Sequence, residues 1–449
     1  MPWQLSRYNG LIALEDGGAL YNRRTGALLR LSSAPYNAVA RATERGEDGF
    51  SLIPGGLTPH LVAGGFAVST DLDEVADLEA RYESRRRDSA FLLTISPTFR
   101  CNLSCGYCFV GSRAGSMSED TQANLISATE RFIARGSHAS MSVDWFGGEP
   151  LLNLRVIRSL SAAFMRICSG RGIPYSAQVI TNGTRIDEAT VSALIEAGVD
   201  RLQVTLDGPA SVHDARRPIA NGKPGRSSFR AVLDGLGHLV GRFLIRLRIN
   251  VDVRNQAAVW ELLDLLHARR WLGPTTRVFP YLARVTPFTE ACGAAADVAI
   301  SLETFHALQL RWITRLHSLG VPVVAQGLYG FPEPKLYCCG AVGSNGFVIT
   351  PAGEVHKCGL TADDSREALA VVGDGLCGAN AAEGSWMRYS PFRDATCREC
   401  AFLPSCLGGC PRNQMLDRQR EKEENCRYYR YLEGDFLRLH IQLSSAATL

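Results

Sequence analysis

The sequence predicts an α/β protein: an open or partial parallel barrel, with a small domain before it and a cysteine-rich domain after it. Three observations predict this. Between about residues 89 and 285, six strand-like segments (91–96, 141–146, 177–181, 202–206, 243–253 and 278–282) alternate with helix-like stretches at 118–135, 153–169, 187–197, 228–239 and 257–268. That alternation is the pattern of parallel βα units. Six units are too few for a closed eight-stranded barrel, and chemistry in such folds collects at the C-terminal ends of the strands. The second observation is the cysteine distribution. None of the 14 lies in the first 100 residues, three fall at Cys101, Cys105 and Cys108, and nine crowd into 338–426. The third is a change of character near residue 331, where cysteines, glycines and turns replace periodic segments. The expected domains are therefore 1–88, 89–330 and 331–449.

The elements follow in order. In the first domain, short strands at 12–14, 19–21 and 28–31 are broken at Asp16-Gly17-Gly18 and Thr25-Gly26, both turn signals. Pro35 lies just inside the start of a helix running to Ala42. A short helix near 60–63, an apolar 66–68 and a charged helix over 73–87 follow, the last ending in an Arg85-Arg86-Arg87 run expected as a solvated linker face. In the barrel, Asp187 is an expected N-cap and Gly198 an expected helix stop.

Composition removes several function classes. With 449 residues, at roughly 100–200 per domain, two to four domains are expected. Lys plus Arg is 48 against 45 Asp plus Glu, a net charge of +3, which gives no electrostatic case for nucleic acid. No apolar run is long enough for a membrane span. The opening Met1-Pro2-Trp3-Gln4 has no apolar h-region, so no signal peptide and a cytoplasmic location are expected. In a long chain of that kind, clustered cysteines read as metal or iron–sulfur ligands rather than disulfides.

The first cluster is a C-x3-C-x2-C run: Cys101, Cys105 and Cys108, directly after the first barrel strand. Three thiolates can hold one metal centre and leave a coordination position open, the mark of a site that does chemistry. On a [4Fe–4S] cube they leave one iron free for a small chelator. A zinc ion with a distant fourth ligand is the alternative. With Tyr107 just before the last cysteine, this spacing resembles the signature of the radical S-adenosylmethionine superfamily. The resemblance implies a partial (β/α)6 TIM-like barrel. It also implies a reduced [4Fe–4S] cluster that splits S-adenosylmethionine into methionine and a 5′-deoxyadenosyl radical.

Other segments resemble the family residue by residue. Gly147-Gly148-Glu149-Pro150 is similar to its GGEP motif, where backbone and carboxylate hold the cofactor's amino group. Thr181-Asn182 and Thr205 with Asp207 end the third and fourth strands and resemble segments near the ribose and carboxylate. Asn250, between Ile249 and Val251, is a candidate for the barrel interior, and His213 is expected as an orienting or structural group. No catalytic residue is assigned.

The second cluster, Cys397-x2-Cys400-x5-Cys406-x3-Cys410-x15-Cys426, is preceded by Cys339 and by Gly353-x4-Cys358. Structural zinc ribbons are the alternative; the arrangement resembles the SPASM extension with two auxiliary [4Fe–4S] clusters. The resemblance assigns Cys397, Cys400, Cys406 and Cys426 to a distal cluster and Cys339, Cys358 and Cys410 to a nearer one. The fourth ligand of the nearer cluster stays open between Cys338, Cys377, substrate or none. Three [4Fe–4S] clusters are thus expected.

Enzymes of this kind mostly act on peptides. The expected function is hydrogen abstraction from a ribosomally made precursor peptide, giving a thioether or carbon–carbon cross-link. An external electron donor such as flavodoxin or ferredoxin is implied. Anaerobic sulfatase maturation to formylglycine and redox-cofactor peptide maturation are the alternatives, and an iron–sulfur electron carrier is the non-enzyme one. In the sulfatase branch an Asp follows the cysteine that closes G-x4-C; here the residue is Gly359. The 1–88 pattern resembles a small winged-helix peptide-recognition domain. A leader segment is expected to pair with a strand edge within 19–31.

Overall fold

The computed structural model describes residues 2–87, 90–110, 115–221, 226–273, 275–287, 290–323, 331–377, 381–416 and 419–444. The chain opens with β1 (Trp3–Leu5), β2 (Asn9–Leu14), β3 (Gly17–Asn22) and β4 (Leu28–Ser32). Helices α1 (Ser33–Arg45) and α2 (Thr58–Ala63), strand β5 (Ala67–Ser69) and helix α3 (Glu74–Arg86) follow. β2, β3 and β4 form an antiparallel sheet in that order, and β1 pairs with β5. Gly17 has φ +141°, and a Cβ there would lie 2.3 Å from the Leu31 carbonyl oxygen, so the β2–β3 turn requires glycine. Leu20 and Leu31 on one face pack with Val39, Leu61 and Phe66. Because β3 is central, the edge expected within 19–31 belongs to β4 alone. The 85–87 arginine run is not uniformly solvated either. Arg86 is buried, donating from Nε to the Val342 carbonyl (3.0 Å) and from Nη1 to Glu83 (2.9 Å).

The barrel strands are β6 (Ala90–Ile95), β7 (Ser140–Trp145), β8 (Tyr175–Thr181), β9 (Val199–Thr205), β10 (Leu244–Val251) and β11 (Val278–Arg284). They run parallel in the order β11-β10-β9-β8-β7-β6. Between and after them stand α4 (Glu119–Arg135), α5 (Leu154–Ser169), α6 (Glu188–Glu196), α7 (Ala210–Arg216), α8 (Ser228–Leu239), α9 (Val259–Ala268) and α10 (Leu302–Ser318). The sequence reading lacked α7 and α10; α10 supplies the helix after the sixth strand. Asp187 caps α6 by accepting from the Thr190 amide at 2.8 Å, and Gly198 follows it at φ +67°.

Burial alternates along these strands. Leu93, Val143, Val179, Leu202, Val204, Ile245 and Leu247 are fully buried, while Ser142, Asp144, Gln178, Gln203, Arg246 and Arg248 between them are half-buried. A parallel strand covered on both faces reads as a continuous apolar run. Alternation here marks a barrel interior that is polar and open.

The same sheet continues past β6. β12 (Gly346–Ile349) pairs parallel with β6, β13 (Glu354–His356) antiparallel with β12, and β14 (Ala370–Val371) antiparallel with β13. β12 is a four-residue, wholly buried run, too short to declare itself by period. The chain ends with α11 (Ala381–Arg388), α12 (Ala395–Glu399), α13 (Leu403–Cys406), α14 (Pro411–Met415) and α15 (Gln419–Leu443).

Two compact units result. One comprises Met1–Asp88, Val323–Gly343 and Arg388–Leu449; the other comprises Ser89–Pro322 and Ser344–Met387. Residues 331–449, expected as one domain, are thus divided: β12 to β14 extend the barrel sheet, whereas α15 packs on the N-terminal one. Within the first unit Ile12, Ala19 and Tyr21 pack with Leu437 and Ile441. The buried Arg23 donates to both carboxylate oxygens of Glu433 at 2.6–2.9 Å. Among the described residues no helix is long and apolar enough to cross a membrane.

Candidate active site

The loop after β6 carries Cys101, Cys105 and Cys108 and is tied down on two sides. Leu103 bridges to Ile219, Ser104 N–H donates to the Pro218 carbonyl (2.9 Å), and Ala220 N–H to that of Asn102 (2.9 Å). On the other side Gly148 N–H donates to the Thr98 carbonyl (3.1 Å) and Glu149 N–H to that of Arg100 (2.9 Å). A Cβ on Gly148 would lie 2.4 Å from the carbonyl oxygens of Phe99 and Arg100, and one on Gly147 2.5 Å from that of Thr98. The glycine pair therefore lets the turn after β7 press against the cysteine loop, a close approach of protein to protein.

Glu149 is fully buried. Its carboxylate accepts from Thr181 Oγ1 (2.7 Å), the Asn182 amide (2.7 Å) and the Leu151 amide (3.0 Å), joining the ends of β7 and β8. Burial pushes its pKa up against these donors. Asn182 Nδ2 donates to Asn102 Oδ1 (2.9 Å) and lies 3.8 Å from Cys101 Sγ.

A second network stands behind Cys105. The Tyr107 hydroxyl donates to Asp207 Oδ2 and accepts from Arg217 Nη1 (2.6 Å) and Asn250 Nδ2 (3.2 Å). Burial raises Tyr107 far above the ordinary tyrosine range, so it stays a neutral donor. Asp207 also accepts from the Asn250 amide (2.9 Å), and its own amide donates to His213 Nδ1 (3.1 Å). Burial first, then the Arg217 charge, push His213 down to about 4. A neutral ring with Nδ1 as acceptor is an orienting group, as expected for His213.

These elements line a cavity of about 160 Å3 at the C-terminal ends of the strands. Cys101, Cys105 and Cys108 line it together with Tyr107, Gly147, Gly148, Thr181, Asn182, Thr205 and Asn250. Glu149, Pro150 and Asp207, also singled out by the sequence, are not among the lining residues; they buttress it from behind. Gln203, Arg217, Arg248 and Arg284 line it and had no assigned role. Their signal was available in part, as polar residues at alternate positions of β9 and β10. An adjoining pocket shares Phe109, Val110 and Phe146 and adds Gly359, Leu360 and Asp363.

The residues present fit an iron–sulfur cluster with a small polar cofactor. Three thiols stand at one end of the cavity, and hydroxyl, amide and guanidinium groups line its wall. Burial pushes the Cys105 thiol up to about 11, so metal must displace a proton there. Among the described residues no three His, Cys, Asp or Glu side chains are drawn together tightly enough for a single metal ion.

In the first unit, Cys397, Cys400, Cys406 and Cys426 line one pocket with Phe402, Leu403 and Tyr429. Asp394 starts α12 by accepting from the Cys397 amide (3.1 Å). Leu407, Gly408 and Gly409 have φ of +49°, +80° and +74°, turning the chain between Cys406 and Cys410. Desolvation, then the nearby Cys410, raise the Cys339 thiol, whereas the Cys338 Sγ lies 4.0 Å from the Tyr82 hydroxyl. Adjacent cysteines thus face different neighbours. Cys358 and Cys377 lie in the second unit.

Comparison with known proteins agrees with this class of site. Residues 95–240 match the model of the radical SAM superfamily. A GTP 3',8-cyclase of Parasynechococcus marenigrum is 33% identical over 207 residues, covering 42% of this chain and 56% of the relative. A serine-type anaerobic sulfatase-maturating enzyme of Klebsiella aerogenes is 29% identical over 176 residues, covering 38% and 42%. The chain spans about half the length of these curated relatives. Among solved structures, anSMEcpe with bound AdoMet matches with a TM-score of 0.58 at 17% identity, covering 79% of this chain and 96% of that one. That likeness is one of fold.

Proposed function

We propose that the protein is a radical S-adenosylmethionine enzyme that modifies a peptide, abstracting hydrogen from one residue of a ribosomally made precursor to form a thioether or carbon–carbon cross-link. The observation that carries the reading is the convergence of Cys101, Cys105 and Cys108 on one cavity with the glycine pair, Thr181, Asn182, Thr205 and Asn250. When cluster and cofactor are bound, the chemistry supplied there is one-electron cleavage of S-adenosylmethionine and hydrogen abstraction by the resulting 5′-deoxyadenosyl radical. Cys101, Cys105 and Cys108 would hold the cluster and leave one of its irons open to the cofactor. Thr181, Asn182, Thr205 and Asn250 line the wall it would occupy, and the Tyr107 hydroxyl, saturated by Asp207, Arg217 and Asn250, holds that wall in place. Phe109, Phe146 and Val285 supply apolar wall that excludes water from the reacting carbon.

The pocket of Cys397, Cys400, Cys406 and Cys426 supports a distal auxiliary cluster. Cys339, Cys358 and Cys410 are the ligands proposed for a nearer one, and flavodoxin or ferredoxin is the proposed electron donor. The free edge of β4 is the proposed docking strand for a leader. A peptide substrate is consistent with the fold, which in anSMEcpe holds AdoMet together with a peptide.

Sulfatase maturation is the second reading, favoured by the Klebsiella relative. Gly359 after Cys358 supplies no base for it; Asp363 is the carboxylate in the adjoining pocket. Incubation with a sulfatase-derived Cys or Ser peptide, followed by mass spectrometry for the aldehyde, separates the two.

The test is iron content with variant analysis. Anaerobically reconstituted enzyme is expected to bind about twelve iron atoms per chain. Cys105→Ala is expected to abolish S-adenosylmethionine cleavage, and Cys400→Ala to retain some cleavage while forming no product. Stoichiometric zinc without iron, or equal and complete loss of cleavage in both soluble, metallated variants, would sink the reading.

A further inference from the structure

The charge on the cavity wall is one-sided. The described residues lining it include three guanidiniums, Arg217, Arg248 and Arg284, and no carboxylate. Arg217 is bonded to Tyr107 and is the leading cation acting on the Cys105 thiol, so it serves the cluster end. Arg284 reaches the Ile300 carbonyl at 3.4 Å.

Arg248 is placed differently. It projects from β10 into the polar interior, and its Nε donates to Asn250 Oδ1 at 2.8 Å. Other basic groups on these strands have a partner nearby. Arg246 stacks 4.8 Å over the Tyr281 ring, Tyr281 donates to Gln203 (2.7 Å), and Arg201 stands 3.7 Å from Asp200. Arg248 neither stacks nor meets a carboxylate among the described residues, and both its Nη groups are left for a ligand.

A guanidinium fork that faces a cavity and has no protein partner is a ready site for an anion. The partner that matches a planar fork is a carboxylate held by two parallel hydrogen bonds. Arg217, bonded to the Tyr107 that Asp207 holds, is the guanidinium set for the cofactor's own carboxylate. We propose that Arg248 reads a carboxylate of the peptide substrate, so that the residue to be modified enters beside an Asp or Glu side chain or the peptide's carboxyl end. The proposal rests on the peptide-modifying reading above.

The experiment uses reconstituted holoenzyme with oxidised clusters, saturated with S-adenosylmethionine so that nothing turns over. Three tripeptides are titrated by ligand-observed NMR: acetyl-Gly-Asp-Gly-amide, acetyl-Gly-Asn-Gly-amide, and acetyl-Gly-Asn-Gly with a free carboxyl end. An acidic peptide is expected to bind about tenfold more tightly than the neutral one, and the tighter of the two acids names the source. In Arg248→Gln, which keeps a donor for Asn250 but loses charge and fork, the preference should fall to about twofold or less, with Arg248→Lys intermediate. The Lys variant keeps the question answerable if the Gln variant does not accumulate.

Equal binding of all three peptides, or of none up to about 10 mM, overturns the proposal. So does an acid preference that survives in Arg248→Gln while S-adenosylmethionine affinity drops about tenfold, which would give the fork to the cofactor. Cofactor cleavage on reduction is measured on the same sample. Its absence overturns the parent reading; its presence without an acid preference overturns this proposal alone.

Discussion

His213 shows how one buried side chain holds the site. It makes no contact with the cavity, yet its Nδ1 takes the Asp207 amide, and Asp207 in turn orients Tyr107 and Asn250. Burial lowers its pKa from 6.5 to about 4. An unfolded His takes up its proton as the pH falls below 6.5, while the folded one stays neutral until about 4. The stability from this group is therefore complete above 6.5 and is lost as the pH falls toward 4. The slope approaches ~1.4 kcal/mol per pH unit for one proton. His213→Asn keeps an acceptor for the Asp207 amide and removes the titration. Urea midpoints measured from pH 7 to 4 should fall less steeply in that variant by about one proton; an unchanged slope would mean His213 titrates normally.

At the scale of elements, the turn after β7 and the cysteine loop after β6 behave as one piece, because Gly147 and Gly148 remove the side chains that would separate them. Gly148→Ala places a methyl group against two backbone carbonyls that cannot swing aside. The strain, typically about 1–3 kcal/mol, falls on the loop rather than on the sheet. The variant should keep its far-ultraviolet circular dichroism but lose the iron of the first site and most cofactor cleavage. Gly237→Ala in α8 is the control: a Cβ there meets nothing within 4 Å, and stability should rise by about 0.4–1 kcal/mol. Full iron content and activity in Gly148→Ala would show that the close approach is dispensable. The six barrel strands and five of its seven helices were legible because burial imposes periods of 2 and 3.6 on the sequence, whereas α7 and α10 were not read. β12 was not legible, since four buried residues carry no period.

For the whole molecule, residues 1–88 are not an appendage. Arg23 and Glu433 form a buried pair, and the outer face of the β2–β4 sheet packs on α15. Deleting 1–88 would leave a buried carboxylate without its cation and an apolar helix face bare, so truncation is a poor test of leader binding. Arg23→Met should destabilise the protein by about 3–5 kcal/mol, because removing one partner strands the other charge. Arg23→Met with Glu433→Leu should recover most of that loss, since paired apolar replacements avoid the stranded charge. Thermal unfolding of the single and double variants decides it: equal losses would mean the pair is solvated rather than buried.

By itself the sequence determined what is local: the cysteine loop, the glycine pair, the alternating barrel segments and the second cysteine array, each written within a few turns of chain. The tertiary structure decided which way side chains at those motifs face. Glu149 and Asp207 turn inward because donors from β8 and β10, 32 and 43 positions onward, satisfy them better than solvent could. Arg217 and Arg248 reach the same cavity from different elements. Cys338 and Cys339 face different partners though adjacent in sequence. The cysteine-rich tail divides because β12 finds the free edge of β6 while α15 finds an apolar sheet face more than 400 residues earlier. Contacts of that separation depend on packing, and no local period records them.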